Sequence, residues 1–224
     1  MNQEKEFFAA VRAGDLAALR NLLDAEPALL AAKNEQGQTA VLAAAYSGRK
    51  EICELLISRG VQLELHEAAA AGQLARVQEI VEKDSSAAKS FSPDGFPVLA
   101  LAAVFGHAEV AKYLQEKGGD VNAVSTNGTG YTALTGAVTN GHTEIVKWLL
   151  TNGANVNYRY GPGYSPLLAA AANGHLEIVK ILLEQGADAT VKANDGRTAL
   201  QLAEERKHEA VAQFLRSRSQ SANA

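Results

Sequence analysis

Cysteine is almost missing from this sequence. Cys53 is the only one in 224 residues, which excludes a disulfide framework and a multi-cysteine zinc site and fits a reducing compartment. Aromatic residues make up only 6%, so large rings cannot dominate the interior. Basic charge is not in excess either: 21 Lys and Arg stand against 25 Asp and Glu, a net charge of -4, which argues against a dedicated nucleic-acid binder. No apolar run approaches the roughly 20 residues that a membrane span needs. The start, Met1-Asn2-Gln3-Glu4-Lys5-Glu6, has no basic segment leading into an apolar one. These absences lead us to expect a cytoplasmic protein without membrane contact.

Catalytic templates are also lacking. There is no Gly-x-Ser-x-Gly elbow, no His-Glu-x-x-His, no Gly-x-x-x-x-Gly-Lys loop and no Gly-x-Gly-x-x-Gly opening a helix after a strand. Gly128-Thr129-Gly130 and Gly161-Pro162-Gly163 fall in turn-rich segments, where glycine serves the turn. What the chain does have is alanine, 42 residues of it, within an apolar content of 47% and a charged content of 21%. That composition folds, and its small side chains let helices approach closely.

One pattern returns along the chain: an Ala-rich stretch, a Gly, usually a His, then an Ile-Val or similar pair and two Leu-like residues. Ala102-Ala103-Val104-Phe105-Gly106-His107 leads to Val110-Ala111-Lys112-Tyr113-Leu114, and Ala170-Ala171-Ala172-Asn173-Gly174-His175 leads to Ile178-Val179-Lys180-Ile181-Leu182-Leu183. Ala137 to Leu150 is a third clear copy. The marker position holds Gly14, Gly48, Gly72, Gly106, Gly141, Gly174 and finally Lys207, at spacings of 34, 24, 34, 35, 33 and 33. Each unit reads as two short helices joined at the marker. Thr39, Thr132, Ser165 and Thr198 are placed to cap the first helix, with Pro166 at a first helical position. Gly60, Gly118, Gly153 and Gly186 follow the second helix, and the turn-rich stretches beyond them read as projecting hairpins.

At these residues the chain resembles the ankyrin repeat family, whose unit of about 33 residues opens Thr-Pro-Leu-His, turns at Gly-His and closes Gly-Ala-Asp-x-Asn. The resemblance runs from about residue 4 to residue 216. It implies an all-α solenoid of about seven helix-turn-helix units with hairpin fingers, binding other proteins through finger tips and a concave face. The expected units are 4–33, 34–64, 65–91, 92–122, 123–157, 158–190 and 191–216, in a single domain 1–216 followed by a disordered tail 217–224. The position of the family's opening His holds Leu42, His66, Ala100, Thr135, Leu168 and Gln201, with His66 read as a stitch between units.

The irregular spacings carry information. Gly48 to Gly72 is about nine residues short, so the finger before the third unit is missing. Gly14, Gly37 and Gly48 recur at an offset of 58 as Gly72, Gly95 and Gly106, which makes units three and four look like a duplicate of one and two. Two extra residues between Asn122 and Thr132 lengthen a later finger.

Chemistry competes poorly with architecture at the remaining candidates. His107, His142, His175 and His208 stand one repeat apart, and packed helices lie about 8–10 Å apart, too far for shared zinc ligation. A turn role beside the marker glycine explains them. Cys53 shares a column with Val146 and Val179 and reads as a buried small hydrophobe; Trp148, in the column of Leu55, Tyr113, Ile181 and Phe214, reads as packing between second helices. No metal site and no cofactor are expected.

Aromatic placement is the unusual feature. Phe91, Phe96, Tyr131, Tyr158, Tyr160 and Tyr164 all lie in finger segments, three of them with Arg159 in one finger. Tyr and Arg are enriched at binding hot spots, while the alternative is that the rings pack on neighbouring fingers. The two residues before each marker face the concave side, where Tyr46, Val104 and Phe105 form an exposed apolar patch if all three point outward, the alternative being that Phe105 tucks inward. The candidate partner-binding residues are Tyr46, Phe96, Val104, Phe105, Tyr131, Asn140, Tyr158, Arg159, Tyr160, Tyr164 and Asn173. Together they suggest a non-enzymatic module, monomeric alone, that holds a protein or peptide in its groove and on its finger tips. The alternative is a small-molecule binder or enzyme with a site grafted on the concave face.

Overall fold

A computed structural model describes residues 2–221, with side chains from residue 3 to residue 218. Fourteen α-helices follow one another in pairs: α1 (Asn2–Ala13) and α2 (Leu16–Ala25); α3 (Ala40–Tyr46) and α4 (Lys50–Ser58); α5 (Leu65–Ala70) and α6 (Leu74–Lys83); α7 (Val98–Val104) and α8 (Ala108–Glu116); α9 (Ala133–Thr139) and α10 (Thr143–Thr151); α11 (Pro166–Ala172) and α12 (Leu176–Glu184); α13 (Ala199–Glu205) and α14 (Glu209–Ser221). Each odd-numbered helix packs on the next odd-numbered one. The first helices of the pairs therefore form an inner row, sandwiched between neighbours, and the second helices line its outside.

The two rows need different side chains. All seven residues of α11, Pro166 to Ala172, are buried. In α10 only Ile145, Val146 and Leu149 are buried, while Glu144 and Lys147 stay exposed. A helix covered on both sides at short range has little room for chains larger than alanine where it faces its neighbours, which accounts for the alanine content. At the closest inner contact even alanine is too large: a Cβ on Gly136 of α9 would run into Val104 Cγ2 of α7. The helix starts use the expected hydroxyls. Ser165 accepts from Leu168 N–H at 3.3 Å, and Thr132 with Thr135, like Thr198 with Gln201, forms a reciprocal capping box.

The hairpin fingers are tight turns closed by single antiparallel bridges, Lys33 to Thr39, Phe91 to Pro97, Tyr160 to Tyr164 and Lys192 to Thr198. Short 3-10 turns at Pro27–Ala31 and Ser85–Lys89 and the first two bridges repeat at the 58-residue offset noted in the sequence. Between α4 and α5 no bridge forms, and the chain passes directly from Gly60 to Glu64.

Two expectations change. Helix α5 is one residue shorter than α3, α7, α9, α11 and α13, so its third residue is Glu67, not His66. It is Glu67 that ties the units together: its carboxylate accepts from the Thr39 hydroxyl at 2.5 Å and from the Glu64 N–H at 2.7 Å. Among the described residues the His66 side chain makes no hydrogen bond, and its one charged neighbour within ion-pair range is Glu64, at 4.0 Å. At the other end, the stretch expected to be a disordered tail from residue 217 continues α14 as far as Ser221, where Arg218 reaches over the Phe214 ring. Residues 222–224 of that expectation lie outside the described residues.

The last marker position tests the turn directly. Lys207 adopts φ 61° where the other units have glycine, and a left-handed backbone costs a side-chain-bearing residue about 1–2 kcal/mol. Part of that gain is returned by the larger unfolded-state entropy of glycine. Lys207→Gly is expected to stabilise the fold by about 0.5–1 kcal/mol, raising the thermal midpoint by about 2 °C; a calorimetric scan showing a lower midpoint would contradict the turn assignment.

Candidate protein-binding face

Successive units are held by one repeated contact. In the last four units the histidine after the marker lies over the marker glycine of the preceding unit, and its Nε2 donates to a carbonyl there. His107 reaches Ala70 O at 3.0 Å, His142 Val104 O at 2.9 Å, His175 Thr139 O at 3.2 Å and His208 Ala172 O at 3.0 Å. The glycine is required twice over. Gly106 has φ 84°, and a Cβ on it would stand 2.8 Å from His142 Cε1. Burial holds the His107 imidazole below its ordinary pKa despite the bond to Ala70. In the second unit Arg49 takes the same place, its Nε donating to Arg12 O at 2.9 Å. In the third, Gln73 occupies the position and turns back to Ala71 O, so this contact is missing between units two and three.

Fingers are also joined edge to edge. Thr126 N–H donates to Gly95 O at 2.8 Å, Asn194 N–H to Pro162 O at 3.0 Å, and Asn127 Nδ2 to Asp94 O at 2.9 Å. Asn122 and Asn157 bond forward to Gly153 O and Gly186 O. The result is a connected row of fingers beside the inner helices from the fourth unit onward.

On this row the structure brings three of the expected rings together. Phe96 meets Tyr131 edge-on at 6.4 Å between centroids, and Tyr131 meets Tyr160 at 5.3 Å. All three are half-buried. Burial pushes the Tyr160 phenol up to about 12, against the opposing effect of a side-chain hydrogen bond with Thr139. Tyr164 pairs with Tyr160 through the finger's bridge, and the Tyr158 hydroxyl lies close to Gly130 of the preceding finger. Arg159 is exposed and donates to Lys192 O at 2.8 Å on the next finger. The rings thus pack on neighbouring fingers, as the alternative reading had it, and still leave part of each ring at the surface.

Tyr46, Val104 and Phe105 do not form one patch. Val104 is drawn against Gly136, while Tyr46 and Phe105 meet edge-on at 5.4 Å, across the small Ala70 and Ala71 of the third unit. The Tyr46 hydroxyl donates to Asp94 at 2.7 Å; burial first and this bond second push its pKa upward. Asn140 is exposed and bonds to Gly136 O of its own helix, and Asn173 bonds to Thr139 O of the preceding unit. Farther along, Arg197 joins Asp195 and Glu205, so the groove becomes charged toward the C-terminal units. Asp94, Thr139 and Arg49 take part without having stood out in the sequence. Arg49 alone had a signal, its place in the histidine column. Phe91 at 43% and Val124 at 39% exposure add two apolar points on adjacent fingers.

Cys53 is 7% exposed, near Val41 O, and burial pushes its thiol up to about 11. Among the described residues no three His, Cys, Asp or Glu gather as metal ligands, and no helix is long and apolar enough to cross a membrane.

The comparisons with known families match this geometry. A family model of ankyrin repeats (3 copies) matches residues 65–160, and models of ankyrin repeats (many copies) match residues 7–57 and 149–203. The chain belongs to the ankyrin repeat family. Ankyrin repeats are general protein-protein interaction modules. The first two matched stretches are separated by residues 58–64, the shortened connection without a finger. No curated protein matches the chain.

The packed state of the ankyrin finger ring can be measured. In an alkaline titration followed by tyrosine absorbance, wild type should show a phenol ionising near pH 12 that Tyr160→Phe lacks. Because this folded pKa is raised, its contribution to stability is present below about pH 10 and is lost as pH rises through the folded value. A Tyr160 phenol titrating near 10 would mean the ring is solvated.

Proposed function

We propose that this ankyrin domain holds a partner protein against the inner side of its finger row, from the Phe96–Tyr131–Tyr160 ladder to the exposed Asn140 and the half-buried Asn173. The supporting observation is the ladder itself: three half-buried rings in register on successive fingers, fixed by packing before any partner arrives. Pre-ordered aromatic edges lose little entropy on binding, and Tyr supplies both apolar area and a polar end. Asn140 and Asn173 beside them offer adaptable polar contacts, while Arg159, already bonded to the adjacent finger, is a fixed cation at the rim.

The groups with displaced pKa values favour binding over catalysis. Tyr46 and Cys53 share the second unit, while Glu79, His107, Tyr160 and Asp195 belong to four others, and each shift has a structural cause such as burial or a local hydrogen bond. A site for proton transfer needs such groups to converge.

Affinity capture from source-cell extract with quantitative mass spectrometry tests the face. Asn140→Arg, which fills the groove from an exposed position, and Tyr131→Ala should each lower retention of a wild-type partner by about tenfold or more. Lys147→Ala on the outer helix row should retain it. Equal retention by all four proteins would move the partner off this face.

A further inference from the structure

The missing finger leaves a cleft of about 630 Å³ between the finger at Lys33–Thr39 and the finger at Phe91–Pro97. Its floor is formed by Leu42 and Val61, and Glu64, Glu67 and Asp94 line it against a single lysine, Lys33, with His66 beside Glu64. Volumes of this size accept small ligands or a few residues of peptide.

Elsewhere the same chain shows what such walls bind. Asp94 O and Gly95 O are covered by Asn127 Nδ2 and Thr126 N–H of the next finger. The equivalent carbonyls of the first finger are those of Gln36 and Gly37, 58 residues earlier in the duplicated segment. Both residues are exposed, and among the described residues no donor reaches their oxygens. The opposite wall is different. The position that donates backward in the fifth unit's finger, Thr126, is matched in the preceding finger by Pro93, which has no N–H to offer. The cleft thus has one open acceptor edge, one wall that needs no hydrogen bond and an excess of carboxylate. Glu67 is 3% exposed, and the two groups that donate to it, Thr39 O–H and Glu64 N–H, carry no charge.

We propose that this cleft is a second binding site, which takes a turn segment of a partner protein in the place of the missing finger. The segment donates main-chain or amide N–H groups to Gln36 O and Gly37 O and presents a Lys or Arg to Glu64, Glu67 and Asp94. The mode is main-chain pairing along an open edge, with side-chain charge selecting the partner. It is separate from the aromatic ladder and does not depend on it.

The probe is a cyclic peptide holding residues 124–131 of this chain, the turn that already lies on Asp94 and Gly95, made in a neutral form and in a form with an added Lys at each end. Titration into the ¹⁵N-labelled full chain should shift the amides of Gln36, Gly37, Gln38, Val61 and Glu64. The basic peptide should bind about threefold or more tightly at low salt, and the difference should fade toward about 0.5 M salt. A nine-residue insertion between Gly60 and Glu64, restoring the 33-residue spacing found at later units, should weaken peptide binding about tenfold or more while the helical circular dichroism is kept. Tyr131→Ala should leave peptide binding unchanged, whatever it does to partner capture. Absence of binding, shifts located on the ladder, or undiminished affinity in a folded insertion variant would each overturn the proposal. So would equal binding of the neutral and basic peptides at low salt.

Discussion

The contact between a histidine and the marker glycine of the unit before it governs the stack. A single helix pair has one apolar face on each side and cannot bury both alone, so its stability comes from neighbours. The histidine bond to a carbonyl across the boundary sets the distance and rotation between units, and each such bond contributes about 1 kcal/mol. The glycine provides both the left-handed turn and the space for the ring. Alanine in the inner helices then follows from the spacing that the contact imposes.

Where this contact fails, other devices take over. Between units two and three the histidine is Gln73, the finger is missing and α5 is short. The boundary is carried instead by the Thr39–Glu67 bond below and by Tyr46 above, which reaches over the third unit to Phe105 and Asp94. Two residues that looked like binding candidates, Tyr46 and Phe105, are thus occupied in joining the two halves. The aromatic ladder lies beyond this boundary, in the more regular part of the ankyrin stack. Its rings meet across fingers already fastened by Asn122, Asn127 and Asn157.

The repeat was legible because its signals are local: hydroxyl caps, marker glycines and a period counted in the tens. The missing finger was legible for the same reason, as a deficit in spacing. Counting from the marker nevertheless placed His66 one position wrong, since α5 begins seven residues before its marker where the later inner helices begin eight before theirs. The candidate face was half legible. Sequence placed Phe96, Tyr131 and Tyr160 on fingers, but whether they touch depends on how far each finger leans toward the next, which is a property of the stack. Val104 stood among the binding candidates; it is half-buried, and the absence of a side chain at Gly136, one unit away, gives it room to lie against α9. The continuation of α14 past residue 216 has only a weak sequence signal, with Arg218 over Phe214 as its visible support.

Native-state hydrogen exchange on the unmodified chain measures the unequal boundary most directly. If the histidine contacts govern cooperativity, amides in α1 to α4 open at a lower free energy than those in α7 to α12, with the step falling between residues 59 and 65. Opening energies that decline smoothly from the centre toward both ends, with no step at that connection, would contradict it.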